Sequence, residues 1–185
     1  MTVVAAFAAV TMNAQMYVGG SLGYSTSSYD GKTQRSAFTL LPEFGMQFNE
    51  KWGAGVELGY SSSTNEASDA KPSNTAFTFA PYARYTALKL GAVNVFADGK
   101  FAYTSRNNQT ANGDKAVDNK YNVIGLYVQP GIAYNLNKQF SLVAKFGDII
   151  SYSSSKPDAD GAKATTTFSL LNLSNAVSFG FYYNF

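Results

Sequence analysis

The segment FTLLPEFGMQFNEKWGAGVELGY, residues 38–60, contains two runs in which apolar side chains alternate with polar or very small ones. The first run extends from Phe38 to Phe48 and the second from Trp52 to Tyr60, with the polar tripeptide 49–51 between them. A period of two residues places successive side chains on opposite faces of a strand. The segment therefore predicts two antiparallel strands joined by a short turn, each with one apolar face.

The same alternation recurs along the chain and predicts eight strands, at residues 16–24, 38–48, 52–60, 77–85, 93–103, 124–134, 140–147 and 171–185. The connections after the second, fourth and sixth strands are short. Those after the first, third, fifth and seventh are long and polar, at residues 25–36, 61–76, 104–121 and 152–167. This asymmetry is typical of transmembrane barrels. The predicted fold class is all-β, an eight-stranded antiparallel up-and-down transmembrane β-barrel with short periplasmic turns and four longer extracellular loops.

The composition excludes several classes of function. Only 14% of the residues are charged, well below the roughly 25–35% expected on the surface of a small soluble domain. The chain has no cysteine and no histidine, which excludes disulfides, thiolate or histidine metal sites and histidine general bases. A serine or aspartate nucleophile would lack its usual base. We therefore expect no enzyme activity, no cofactor and no metal.

The orientation of the apolar face depends on the composition of the opposite face. That face consists mostly of Gly, Ser, Ala, Thr and Asn, which suit a narrow lumen and would make a poor soluble surface. The apolar face is therefore expected to face lipid. The alternative is a soluble lipocalin-like barrel, in which the apolar face would line the lumen. Aromatic residues also mark both ends of the apolar face, as in the two interfacial girdles of membrane barrels. They are Phe48, Trp52, Tyr85, Tyr134 and Phe140 beside the short turns, and Tyr24, Phe38, Tyr60, Phe77 and Tyr103 beside the long loops.

Two positions disturb the alternation. Asp148 falls on the apolar face of the seventh strand, and Phe168 and Leu170 are out of phase with Leu171. A β-bulge at each position would restore the register.

The first fifteen residues differ from the rest of the chain. An apolar run from Val3 to Val10 is followed by small and polar residues, which indicates a secretory signal peptide at residues 1–15 and a barrel domain at residues 16–185. A first strand or a short buried helix is the alternative.

Four segments carry a family resemblance: residues 38–60, FAPYARYT at 79–86, VQPGIAYNL at 128–136 and VSFGFYYNF at 177–185. They resemble small OmpX/OmpA-like outer-membrane β-barrel proteins of Gram-negative bacteria. The resemblance implies a bacterial outer-membrane location, contact with outer-membrane lipid and lipopolysaccharide, and recognition by the barrel-assembly machinery. The C-terminal aromatic residues at alternate positions resemble the assembly signal of that family: Phe179, Phe181, Tyr183 and Phe185.

Six charged residues are predicted to face the lumen: Glu43, Glu57, Arg84, Asp98, Lys100 and Lys145. Three acids and three bases in a narrow lumen should pair, since an isolated buried charge is costly. The network predicts an internal salt-bridge plug, with a gate or proton-selective constriction as the alternative.

The expected function is a rigid, non-enzymatic scaffold whose polar loops serve in adhesion, surface protection or envelope integrity and offer a place for an extracellular ligand. The alternative is a small passive pore for ions or small solutes. A monomer is expected, and no nucleic-acid partner.

Overall fold

A computed structural model of the chain describes residues 15–29, 32–66, 71–112, 115–158, 161–171 and 177–185. These residues form ten strand segments in one antiparallel sheet. Among them, no helix is long and apolar enough to cross a membrane. The segments are β1 (Gln15–Tyr29), β2 (Lys32–Gln47), β3 (Trp52–Asn65), β4 (Ser73–Leu90), β5 (Val93–Asn112), β6 (Lys115–Asn135), β7 (Phe140–Lys145), β8 (Ile150–Pro157), β9 (Thr165–Leu170) and β10 (Ser178–Asn184).

The sheet closes on itself as a barrel with eight strand positions around its circumference. We call each position a stave, because two of them contain two strand segments end to end. Each of β1 to β5 pairs with the next strand in the chain, and β5 pairs with β6. The seventh stave consists of β7 and β8, because both pair with β6, one above the other. The eighth consists of β9, which pairs with β8, and β10, which pairs with β7 and with β1. The prediction of an eight-stranded antiparallel barrel is confirmed.

A bulge interrupts the seventh stave at the position where the alternation fails. Residues 146–149 lie opposite only two residues of β6, Gln129 and Pro130. The Phe146 amide donates to the carbonyl of Pro130, at 3.0 Å. Asp148 is half-buried and lies within Coulombic range of Lys100 and Glu57. An unbroken strand would have put Asp148 on the apolar face, and the bulge instead brings it near the lumen charges.

The eighth stave changes phase between its two segments. Phe168 and Leu170 are exposed on β9, and Phe179 and Phe181 are exposed on β10. Leu171, which follows β9, has a positive φ of 55°, a conformation that is uncommon for a non-glycine residue. The outward positions therefore shift from even to odd numbers across this break.

The connections opposite the short turns differ from their predicted lengths. β1 ends at Tyr29 and β2 begins at Lys32, and β5 ends at Asn112 before β6 begins at Lys115. Most of the residues predicted as loops 25–36, 61–76, 104–121 and 152–167 thus belong to strands. These strand ends are polar and have no apolar face, but their backbones stay paired beyond the apolar band. The sequence pattern therefore gave no sign that they are strands. We refer to this side as the hairpin end and to the opposite side as the short-turn end.

The outward face of the barrel is apolar, and the interior contains small or buried side chains. Trp52 packs against Tyr85 with ring centroids 4.9 Å apart, and Tyr60 against Phe77 at 5.0 Å. The other predicted girdle residues are exposed or half-buried on the same surface: Tyr24, Phe38, Phe48, Tyr103, Tyr134 and Phe140. Of the predicted signal peptide, residues 1–14 lie outside the described residues, and β1 begins at Gln15.

Candidate functional site: a charge layer in the lumen

Strand register brings the predicted lumen charges to similar heights in the barrel. Glu43 of β2 lies directly opposite Glu57 of β3, and Arg84 of β4 lies directly opposite Asp98 of β5. Like charges directly opposite each other are destabilising, so the two glutamates require cations from other strands. We call the cluster the charge layer; it consists of Glu43, Glu57, Arg84, Asp98, Lys100 and Lys145.

Arg84 joins two acids of the charge layer. Its Nε and Nη2 donate to the two carboxylate oxygens of Asp98 at 2.7 and 2.8 Å, and Nη2 also donates to Glu43 at 3.0 Å. The forked geometry of a guanidinium matches a carboxylate in this bidentate arrangement. The guanidinium carbon lies 3.9 Å from the ring centroid of Phe96, so one face of the cation rests on an aromatic ring.

Lys145 and Lys100 neutralise the pair of glutamates. The Nζ of Lys145 lies 2.5 Å from Glu43 Oε2, 3.2 Å from Glu57 Oε2 and 3.6 Å from Asp98 Oδ2. The Nζ of Lys100 donates to Glu57 at 2.8 Å. Lys145 therefore contacts all three acids of the layer and is its central cation.

Three tyrosines that the sequence analysis did not select complete the cluster. The Tyr82 hydroxyl donates to Glu43 at 2.5 Å, and the hydroxyls of Tyr82 and Tyr17 form a hydrogen bond of 2.6 Å. Tyr182 donates to Glu43 and accepts from Arg84, each at 3.0 Å. Only their inward positions in the alternation could have indicated these residues.

Two glycines leave space for the tyrosine rings. A Cβ at Gly45 would overlap Tyr17 and Tyr82, and a Cβ at Gly55 would overlap Tyr82. Both glycines face the lumen one step toward the short turns from Glu43 and Glu57. The small residues of the inward face thus accommodate large side chains from other strands.

The charge layer is buried and internally paired. Its six side chains are at most 11% exposed, and that of Asp98 is fully buried. Buried charges are tolerated when they are paired and hydrogen-bonded. Among the described residues, no group of three or more His, Cys, Asp or Glu side chains could hold a metal ion. Chemically, the arrangement can lock strands together and obstruct the lumen.

The C-terminal aromatic residues lie on the outer surface. Phe179, Phe181 and Phe185 are exposed there. Tyr183 contacts Phe140 with ring centroids 5.3 Å apart and Phe185 at 6.1 Å. Because β10 pairs with β1 on one side and with β7 on the other, this aromatic row borders the seam where the barrel closes.

A closed antiparallel barrel with an apolar exterior and a charged, packed interior defines the class of transmembrane β-barrels. The family model described as "Outer membrane protein beta-barrel domain" matches residues 1–185. The chain belongs to this family, and its location is the bacterial outer membrane. Its outward face therefore lies in an environment of lipid and lipopolysaccharide.

Solved structures of other outer-membrane proteins share the fold. A major outer membrane protein of Thermus thermophilus has a TM-score of 0.60 and 14% identity, covering 94% of this chain and 100% of that chain. The protein OprG of Pseudomonas aeruginosa has a TM-score of 0.53 and 19% identity, covering 92% and 95%. Neisserial surface protein A has a TM-score of 0.53 and 14% identity, covering 92% and 97%. A search of curated protein sequences finds no significant match.

Proposed function

We propose that the chain is a non-enzymatic outer-membrane scaffold whose lumen is closed by the charge layer and whose hairpin end is displayed outside the cell. The observation that carries this proposal is the complete pairing of three acids with three bases across the lumen. An eight-stranded barrel has an interior just wide enough for side chains to fill. The pairing therefore favours a structural plug over an open pore.

The energetics of the layer support closure. A hydrated ion that passed this level would have to separate ion pairs whose members are excluded from water, and an unpaired buried charge is costly. The aromatic rings of Tyr17 and Tyr182, with centroids 4.6 Å apart, occupy the space beside Arg84. Catalysis is not favoured, since the buried carboxylates are already engaged by cations or hydroxyl groups and no histidine is present.

The hairpin end is the part that suits a role in surface contact. β5 continues nine residues beyond the girdle residue Tyr103, to Asn112, which is about 30 Å along a strand at ~3.3 Å per residue. Binding residues lie disproportionately on surface segments that a rigid scaffold positions, and the tips of these hairpins are such segments. The structure of Ail, the attachment invasion locus protein of Yersinia pestis, bound to a heparin analogue has a similar fold, with a TM-score of 0.50 and 14% identity, covering 94% of this chain and 100% of that chain. We infer adhesion or surface protection as the role of these hairpins.

The outer surface bears on the assembly of the scaffold and on its oligomeric state. The exposed row of C-terminal aromatic residues suits recognition by the barrel-assembly machinery during membrane insertion. Closure of the sheet within a single chain also leaves the paired seam between β1 and β10 unavailable to a second copy. We therefore propose a monomer.

Single-channel recording in a planar lipid bilayer tests the closed lumen. The refolded barrel, with folding verified by heat-modifiable migration on a gel, should insert without a stable conducting state. A variant with Glu43→Ala, Arg84→Ala and Lys145→Ala removes the centre of the layer and should conduct if it folds. A reproducible open state of appreciable conductance in the unmodified barrel would contradict the proposal and favour a passive pore.

A further inference from the structure

A cavity of about 190 Å³ lies at the short-turn end, between the charge layer and the mouth of the barrel. Arg84, Tyr17, Tyr182 and Phe96 line it on the side of the charge layer. Much of the remaining lining consists of carboxamide side chains, which can donate and accept hydrogen bonds. They are Gln15, Gln47, Asn94, Asn135, Asn137 and Asn184.

The cavity is electropositive. Lys89 and Lys138 line it, and none of the described residues in its lining is acidic, while the charge of Arg84 is offset by Asp98 and Glu43 in the charge layer. The short-turn end as a whole has the same bias, because its turns and strand ends contain three lysines and one acid: Lys51, Lys89, Lys138 and Glu50. A cleft that is lined by charges of one sign raises the local concentration of an oppositely charged solute.

Arg84 retains hydrogen-bonding capacity toward this cavity. Its Nε and Nη2 make four hydrogen bonds, to Asp98, Glu43 and Tyr182. With the residues that the structure describes, its Nη1 makes none, although the side chain is only 6% exposed. Nη1 is not one of the buried side-chain atoms without a partner among the described residues, so it is open to the cavity that Arg84 lines. Its two N–H donors are therefore available to an acceptor that enters from the short-turn end.

Asn94 supplies a second available group in the same cavity. Its side chain is half-buried, lines the cavity and makes no hydrogen bond within the described part of the chain. On β5 it faces the lumen one step toward the short turns from Phe96, the ring on which the Arg84 guanidinium rests. A cation and a carboxamide thus line the same cavity, a combination that suits an anionic group attached to a polar body.

We propose that this cavity binds a small organic anion with hydroxyl or amide groups, which enters from the periplasmic side. Its carboxylate would accept from Nη1 of Arg84 and be attracted by Lys89 and Lys138, and the carboxamides would bind its polar body. Arginine suits this role because its planar guanidinium stays charged and can donate hydrogen bonds to carboxylates on two sides.

Glucuronate and glucose form a matched pair of probes, since they share a sugar ring and differ in the carboxylate. Each is titrated into the ¹⁵N-labelled, refolded full chain in detergent micelles at low salt, and the side-chain amide signals of Asn94 and Gln47 are followed by NMR. Glucuronate should shift these signals saturably, and glucose should leave them unchanged at the same concentrations. Glucose 6-phosphate distinguishes a requirement for a carboxylate from a requirement for any anion.

Charge variants test whether Lys89 and Lys138 contribute to anion binding. The double variant Lys89→Gln with Lys138→Gln should weaken glucuronate binding about five-fold, because exposed charges each contribute modestly. Lys51→Gln is the control, since Lys51 lies at the same end of the barrel but outside the cavity lining, and it should bind as the parent does. Equal shifts with glucose and glucuronate, no saturation, or equal weakening by the control would overturn the proposal.

Discussion

Between Ala80 and Thr86, buried and less buried side chains alternate along β4, whereas all five residues of β3 from Tyr60 to Thr64 have intermediate exposure. The first segment lies at the level of the charge layer and the second toward the hairpin end. Alternation is strong where a strand separates lipid from a packed lumen, since the two faces meet different media. It fades where neither face meets lipid or a packed core. Stability should therefore depend on the layer half of the barrel, while the hairpin half should tolerate change.

The largest effect is expected from loss of the central cation. Lys145→Met leaves Glu43 and Glu57 facing each other without their shared partner, which should lower the free energy of unfolding by about 3–5 kcal/mol. Reversible urea unfolding of the refolded barrel measures this change.

Adding Glu57→Gln to Lys145→Met should recover part of the loss, because the double variant restores the charge balance. Lys51→Met in a short turn is the matched control and should change stability by less than about 0.5 kcal/mol. Strictly additive losses for the two substitutions would show that the layer is not coupled.

A charge on the outer face should have the next largest effect. Val56→Arg places a cation on the outward side of β3, where it should cost about 2–4 kcal/mol if that position lies near the bilayer midplane. Ser62→Arg, on the same face beyond Tyr60, should cost about 0–1 kcal/mol near the interface. Urea unfolding in lipid vesicles compares the two, and equal costs would place both positions in the same medium.

A methyl group in the lumen should have a smaller effect that again differs between the halves. Gly55→Ala brings a Cβ into Tyr82 and should cost about 1–3 kcal/mol through overpacking. Gly23→Ala, in the hairpin half, meets only Thr39 at an ordinary contact of 3.6 Å. Thermal unfolding, read from the loss of heat-modifiable migration, should separate the two variants, and equal melting points would argue against tight packing of the layer.

The smallest effect is expected from shortening the longest hairpin. Replacing residues 108–119 by Asn-Gly joins Asn107 to Lys120, which lie opposite each other in the ladder between β5 and β6. A two-residue Asn-Gly loop suits a hairpin, so the unfolding free energy should change by less than about 0.5 kcal/mol. A large loss in urea unfolding would show that the hairpin stabilises the barrel.

The same contrast explains how far the sequence could be interpreted. The strand count and the barrel were predictable because alternation is strong in the apolar band, as in residues 38–60. The connections at the hairpin end were predicted too long, because the strand ends beyond the apolar band are polar and show no alternation. The bulge was suspected at Asp148, where the alternation fails, but its extent over residues 146–149 depends on how the strand pairs with β6.

Within the site, the charged members were accessible to sequence reasoning and the neutral members were not. An inward charge is rare in the alternation, so Glu43 and Lys145 could be selected directly. Tyr17, Tyr82 and Tyr182 resemble the many outward aromatic residues in type, and their contacts depend on which strands meet across the lumen. The position of Asp148 near Lys100 depends on the bulge, which changes the phase of the strand.

Closure of the lumen by the charge layer can be tested directly because the chain has no cysteine. Ser61→Cys lies in the lumen on the hairpin side of the layer, and Asn94→Cys lines the cavity on the other side. Each variant is inserted into lipid vesicles and treated with a small, membrane-impermeant thiol reagent added outside. A closed lumen predicts that the labelled fractions of the two variants are complementary, because each barrel exposes only one of the two positions. Nearly complete labelling of both variants would show that the reagent passes the layer and would contradict a closed barrel.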